Sequence, residues 1–310
     1  MKMSQPLRVD YPEGNMSFVT RRTINSQLLF VNNKRLEERV LGTLGKYLKK
    51  YSATIYAYNF YGSHDHAVID FKPRTKSNFF RDFGARTAEA VRMYVDCFKG
   101  GPLFQRRASE QCVPENYVVN RFWYTTLQAV QDGHCKKISQ YPGYNSFYEA
   151  ISGKPRRVKF TNWTKFRAAK ARDPKANIED YTDYTEINYA RLPGYEHLSQ
   201  REYKKLMSKE LKEREAAIVE QLEAKGHKFP SPERLRNTTP TQSAKNPKKS
   251  KRFDKRPLVL TNCFETKKWF LEWYFSILNA YRRASARYLL GDPLAEFPPG
   301  TWKPLGPITA

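Results

Sequence analysis

Residues 52–71, "SATIYAYNFYGSHDHAVIDF", constrain the fold more than any other stretch of the chain. Two runs of alternating side chains are separated by the short joint "YGS". Period-two alternation sends successive side chains to opposite faces of a strand, and a glycine-containing joint between two such runs marks an antiparallel hairpin. The rest of the chain must therefore pack onto a sheet. The hairpin also carries unusual chemistry, because the chain has five histidines and two of them, His64 and His66, open its second strand. Alternation places both imidazoles on one face and Asp65 on the other. On that far face Asp65 needs a polar partner or solvent.

The neighbouring segments supply the remaining layers. Residues 16–23, "MSFVTRRT", read as a strand. In residues 33–50, Leu36, Val40, Leu44 and Leu48 recur at helical spacing, and lysines close the segment where the helix dipole favours them. "TKSNFFRDFGARTAEAVRMYVDCF" predicts a second amphipathic helix closed by "KGGP", and "LFQRRASEQCV" a further strand. "PENYVVNRFWYTTLQAVQDG" predicts a third helix, with Pro114 near its first turn and Gly133 just past its end. Strand, helix, strand, strand, helix, strand, helix is the order of an α+β, ferredoxin-like split βαβ antiparallel sheet with one added helix.

Beyond about residue 155 the texture changes, which predicts a first domain over 1–155. Residues 156–229 form a mixed and helical extension, including a charged helix at 199–225 that opens on the capping box Ser199-x-x-Glu202 and stops at Gly226. Residues 230–256 are rich in Pro, Ser, Thr and Lys and predict a flexible basic linker. A last helix over roughly 263–290 and a tail fill 257–310; the apolar face of "WFLEWYFSIL" has to dock on something. The extension as a whole is mainly helical.

Charge narrows the function classes. With 55 Lys+Arg against 31 Asp+Glu the net charge is +24, an excess that points to an anionic partner, most commonly nucleic acid. A basic membrane-binding protein is the competing reading of that charge; no apolar run approaches the ~20 residues a transmembrane helix needs, and no membrane partner is expected. The first residues lack the apolar core of a secretory signal. Cys97, Cys112, Cys135 and Cys263 form no C-x-x-C pair, a pattern of reduced thiols that fits a cytoplasmic protein.

Imidazole is the commonest protein metal ligand, and two on one strand face can share an ion. On the third predicted helix, Tyr124 and Gln128 lie four apart and share a face. Paired histidines, a tyrosine and an amide one turn later, in a strongly basic chain, suit metal-assisted cleavage of DNA. Arg21, Arg22, Arg106 and Arg107 are candidate DNA contacts, and the run 245–256 adds salt-dependent affinity for phosphates. Tyr56, Tyr58 and Trp123 are aromatic candidates for stacking on unpaired bases.

These residues together resemble a known family. From Val19 to Ser146 the chain is similar to the REP-associated tyrosine transposases, in the IS200-like single-tyrosine branch of the HUH nucleases. "FVTRRT" resembles that family's V-T-x-R strand, and "GSHDHAVIDF" its N-H-x-H strand. "PLFQRRASEQCVPENYVVNRFWYTTLQAVQDG" resembles the stretch leading to Y-x-x-x-N-P-V-x-A-G, with Tyr124 nine residues before Gly133 as in the family. "YPGYNSF" and the tail "YRRASARYLLGDPLAEFPPGTWKP" also have counterparts. The chain departs from the pattern at Asp65, where an apolar residue is usual, and at Gln128-Ala129, where the family has Asn-Pro.

The resemblance implies an HUH nuclease fold, Tyr124 as nucleophile, and His64, His66 and Gln128 as ligands of a divalent cation, Mg²⁺ or Mn²⁺. It implies a transposase that cuts and rejoins single-stranded or hairpin DNA through a 5′-phosphotyrosine intermediate, with a homodimer as a possible assembly. Two other readings fit the same scaffold. One is a non-catalytic nucleic-acid-binding protein. The other is an HUH replication-initiator nickase, although that class carries helicase or primase segments and no "GxxxxGK[ST]" loop occurs here.

Overall fold

The computed structural model describes residues 6–105, 107–243 and 257–306. In it the "YGS" joint closes the predicted hairpin. Strand β2 (Thr54–Phe60) pairs antiparallel with β3 (His64–Asp70), with a register shift between Ile55 and Ala57. Strand β1 (Asn15–Arg22) lies along the other side of β3, with Thr20 opposite His66 and Arg22 opposite His64. Strand β4 (Ser109–Pro114) pairs with β1, and the two-residue β5 (Tyr144–Asn145) pairs with β2. The order is therefore β4-β1-β3-β2-β5, antiparallel throughout. Its first four strands follow the predicted split βαβ topology.

The two crossover helices are α1 (Lys34–Lys50) and α2 (Lys76–Tyr94). Leu36, Val40, Leu44 and Leu48 of α1 are all buried, as their spacing requires, and the Asn33 side chain caps the helix by accepting from the Leu36 amide. Helix α2 ends four residues before the predicted limit; the Asn33 amide donates to the carbonyl of its last residue, Tyr94. On the opposite face of the sheet lies α3 (Val118–Gln131). This helix starts later than expected, because Pro114 is still extended in β4 and a 3-10 turn at Glu115–Tyr117 intervenes. Two side-chain amides pin α3 to the sheet: Asn59 donates to the Thr125 carbonyl at 2.9 Å and Asn145 to the Thr126 carbonyl at 2.8 Å.

The predicted break near residue 155 is not a break in the core. Helix α4 (Phe147–Ser152) leads into a hairpin of β6 (Arg156–Thr161) and β7 (Thr182–Ile187), with α5 (Trp163–Arg172) between its strands. The hairpin lies on the outer side of α1, so close that a Cβ on Gly42 would overlap the Lys159 carbonyl. Helix α6 (Gln200–Ala224) keeps its predicted capping box, in which Ser199 and Glu202 satisfy each other's amides. Val158, Ile187, Tyr203 and Met207 join the same apolar cluster as Val40 and Leu44.

Nor is the expected linker a free tether over its first half. Helix α7 (Pro232–Arg236) is held by the Asn32 amide, 2.8–2.9 Å from the carbonyls of Leu235, Arg236 and Thr238, and the Leu28 amide donates to Gln242. The remainder, including the basic run 245–256, lies outside the described residues. Helix α8 (Phe264–Leu289) docks as its composition demands: Phe270, Tyr274 and Leu278 form a second cluster with Val9, Cys112 and Val259. Leu258 and Leu260 hydrogen-bond to Cys112 and cover the outer edge of β4. Among the described residues no helix is long and apolar enough to cross a membrane.

Candidate active site

Alternation along β3 sends His64 and His66 to the α3 side of the sheet and Asp65 to the α1/α2 side. Both imidazoles are buried, at 5% and 4% exposure. Each Nδ1 meets a hydroxyl: Ser63 Oγ at 3.1 Å for His64 and Thr20 Oγ1 at 2.9 Å for His66. In the tautomer that donates from Nδ1 to those hydroxyls, Nε2 keeps its lone pair, the arrangement of a metal-ligating histidine. Burial, reinforced by His66 and the Arg22 guanidinium, holds His64 well below the usual imidazole range, so it is neutral at pH 7. The two rings meet edge to face at 4.9 Å. Tyr61, itself stacked on Tyr141 at 4.5 Å, walls the far side of His64 at 4.9 Å.

Helix α3 brings the other two predicted residues to this spot. Gln128 is 5% exposed, and its Nε2 lies 2.5 Å from His64 Nε2. Its Oε1 is buried and has no hydrogen-bond partner among the described residues. Which end of an amide faces a neighbour is interchangeable by a half turn. A buried amide oxygen lacking a partner, beside a neutral imidazole, is a donor set that fits a cation. Two imidazole nitrogens and one amide oxygen would leave further positions open for substrate or water. Among the described residues no group of three His, Cys, Asp or Glu side chains could hold an ion, so a third protein donor beside the two imidazoles would have to be this amide.

One turn earlier, Tyr124 is partly exposed, with its ring edge to face against His66 at 5.8 Å and against Phe18 at 5.6 Å. His64, His66, Gln128 and Tyr124 thus converge within one chain, from one strand and one helix face. Arg22, opposite His64 in the register, is partly exposed on this side of the sheet.

The other expected DNA contacts are placed differently. Arg21 points to the opposite face, is 3% exposed, and pairs with Asp65 (Nε to Oδ1, 3.0 Å) while lying over the Phe83 ring at 4.0 Å. It is therefore a core cation, excluded from the surface by the same alternation that aims Arg22 at the site. It is also the partner that Asp65 requires, together with the Tyr58 hydroxyl at 3.0 Å. Arg107 is exposed and donates to the Pro6 carbonyl; Arg106 lies outside the described residues. Tyr56, Tyr58 and Trp123 are core residues, at 9%, 1% and 3% exposure, and so are closed to base stacking.

Sequence reasoning missed the supports of the site. Thr20 and Ser63 orient the imidazoles, and Asn59 and Asn145 hold α3. Arg121, whose guanidinium lies 5.1 Å from the Tyr124 ring, had one available signal: it stands three residues before Tyr124 on a predicted helix.

No family model matches the chain, and no curated protein does. Among solved structures it is similar to a REP-associated tyrosine transposase bound to a REP hairpin, with 18% sequence identity and a TM-score of 0.38, over 48% of this chain and 84% of that one. A likeness this distant bears on neither the activity nor the role of any residue.

Proposed function

We propose that this chain is a metal-dependent transposase or endonuclease that cuts and rejoins single-stranded DNA through a tyrosine–DNA intermediate. The observation that supports this reading is the convergence of the His64–His66 pair with Gln128 and Tyr124 in one chain. The net charge of +24 supports a polyanionic substrate. Hairpin-bearing single strands are the substrate to test first.

In the proposed reaction the Tyr124 hydroxyl oxygen attacks phosphorus as its proton leaves to solvent. The bond from phosphorus to the 3′ oxygen breaks, and that oxygen takes up a proton to become a free 3′-hydroxyl. The 5′ phosphate stays joined to Tyr124. Attack by a 3′-hydroxyl on this phosphotyrosine re-forms a DNA phosphodiester and releases the tyrosine, so no external energy source is needed for joining. His64, His66 and Gln128 would hold the divalent cation, Mg²⁺ or Mn²⁺, which when bound polarises the phosphate and offsets charge on its oxygens. Phe18 and His66 flank the phenol ring and limit its swing, while Thr20 and Ser63 fix the imidazoles.

The test is to incubate the full chain with hairpin-bearing single-stranded oligonucleotides and Mn²⁺ or Mg²⁺. The expected product is a slowly migrating, protease-sensitive adduct that is lost in Tyr124→Phe and in His64→Ala. Adduct formation by Tyr124→Phe would overturn the assignment of the nucleophile. Tight binding by the wild-type chain with no adduct in either metal would favour a non-catalytic binding protein.

A further inference from the structure

Arg121 lies one turn before Tyr124 on α3, on the same helix face. Three rings surround its guanidinium, with centroids at 5.1 Å for Tyr124, 5.5 Å for Tyr117 and 5.8 Å for Phe18. Its Nε and Nη2 both donate to Asn120 Oδ1, at 3.0 and 2.6 Å. A guanidinium has five N–H donors, so three remain for another acceptor. Among the described residues no carboxylate pairs with Arg121, whose bonds to Asn120 lie on the exposed side of the helix, so its free donors face solvent beside Tyr124. The first turn of α3 also carries no acidic side chain. The cation therefore sits near the positive end of the helix dipole with no counter-ion, an arrangement that an anion relieves.

That anion would lie beside the Tyr124 ring. We propose that Arg121 binds a non-bridging oxygen of the scissile phosphate and holds the phosphorus against Tyr124, as a phosphate-binding catalytic residue. The inference rests on the covalent-tyrosine reading above. Arginine suits the role better than lysine would, since its planar fork is steadied by ring stacking and can bond two phosphate oxygens at once. Arg22, on β1, would approach the same phosphate from the strand side.

The experiment is a binding cycle on the full chain without divalent metal, so that no cleavage intervenes. A hairpin-bearing oligonucleotide whose cut position has been mapped from the wild-type adduct is compared with one carrying a neutral methylphosphonate at that position. Neutralising that phosphate should weaken wild-type binding about tenfold, and Arg121→Ala should bind the natural strand about tenfold more weakly while losing less than about twofold on neutralisation. With Mn²⁺ present, adduct formation by Arg121→Ala should slow by about a hundredfold, and Arg121→Lys, which keeps the charge without the fork, should fall between. If thermal melting shows that Arg121→Ala is misfolded, the Arg121→Lys cycle decides. Equal losses on neutralisation in wild type and variant would place Arg121 away from the scissile phosphate and overturn the inference, leaving the tyrosine mechanism intact. A wild-type chain that forms no adduct at all would remove both.

Discussion

Arg21 and Asp65 face each other across β1 and β3, and their ion pair lies on the side of the sheet away from the histidines. The pair explains how an aspartate stands between two buried imidazoles without disturbing them: it belongs to the α1/α2 layer and serves the fold. Both groups are at most 3% exposed. Removing one partner from a buried pair strands the other charge and costs about 3–5 kcal/mol, whereas replacing both with apolar residues costs much less. Asp65→Ala should therefore lower the unfolding free energy by about 3–5 kcal/mol in urea titrations, and Arg21→Leu/Asp65→Leu by less than either single change. A loss under about 1 kcal/mol for Asp65→Ala would show that the pair contributes little to stability.

A second buried network makes the fold sensitive to acid. Glu110 on β4 bonds Lys76, Arg8 and Ser17, with Lys76 only 3% exposed. Burial opposes ionisation of Glu110, but the charges of Lys76 and Arg8 outweigh it and hold the carboxyl below its usual range. A carboxyl whose folded value is depressed adds stability that is fully present above its unfolded value near 4.3 and is lost as pH falls through the folded value. As pH falls below about 5, the wild-type chain should lose stability more steeply than Glu110→Gln, although the variant is weaker at pH 7 because Lys76 and Arg8 lose their counter-charge. Urea midpoints at four or five pH values decide it; parallel profiles would contradict the assignment.

How much of this was legible depends on the range of the interactions. The shared face of His64 and His66 follows from strand periodicity, and that of Tyr124 and Gln128 from helix periodicity, both local rules. That these two faces meet depends on β1–β3–β2 pairing and on the Asn59 and Asn145 amides, contacts between residues 66 and 19 positions apart. Alternation already requires Arg21 and Arg22 to point in opposite directions, but only the register, with Arg22 opposite His64, says which of them faces the site. The continuity of the core past residue 155 had a faint signal in Gly42 and Gly45, three apart on one face of α1, which admit the β6–β7 hairpin. Docking of residues 232–243 had none, because it runs through backbone carbonyls to Asn32 and leaves the Pro, Ser and Thr side chains without a pattern.

Thiol reactivity should report whether α8 opens separately from the main core. Cys97 is exposed, while Cys112 and Cys135 are buried in different clusters, Cys112 under α8 and Cys135 in the main core. Burial raises both thiols, Cys135 to about 12 and Cys112 further. Cys97 should label quickly, and the two buried thiols only on opening. Phe270→Ala removes a core ring at a cost of about 3–5 kcal/mol, so Cys112 should then label well before Cys135. Simultaneous labelling of both would mean that α8 and the sheet unfold as one unit.

The sharpest test of the metal set falls on Gln128, because it supplies the only oxygen in the proposed ligand group. Its Oε1 is buried without a hydrogen-bond partner among the described residues, and its side chain touches His64. If that oxygen ligates the ion, Gln128→Leu, which keeps the volume and loses the donor, should weaken Mn²⁺ binding by at least about tenfold in calorimetric titration. Gln128→Glu supplies a charged oxygen at the same place and should bind Mn²⁺ at least as tightly as the wild type. Adduct formation should follow in the same order, with the Mn²⁺ concentration for half-maximal adduct rising in Gln128→Leu. Equal Mn²⁺ affinity in Gln128→Leu and wild type would remove Gln128 from the ligand set and leave the two histidines to hold the ion with water and phosphate alone.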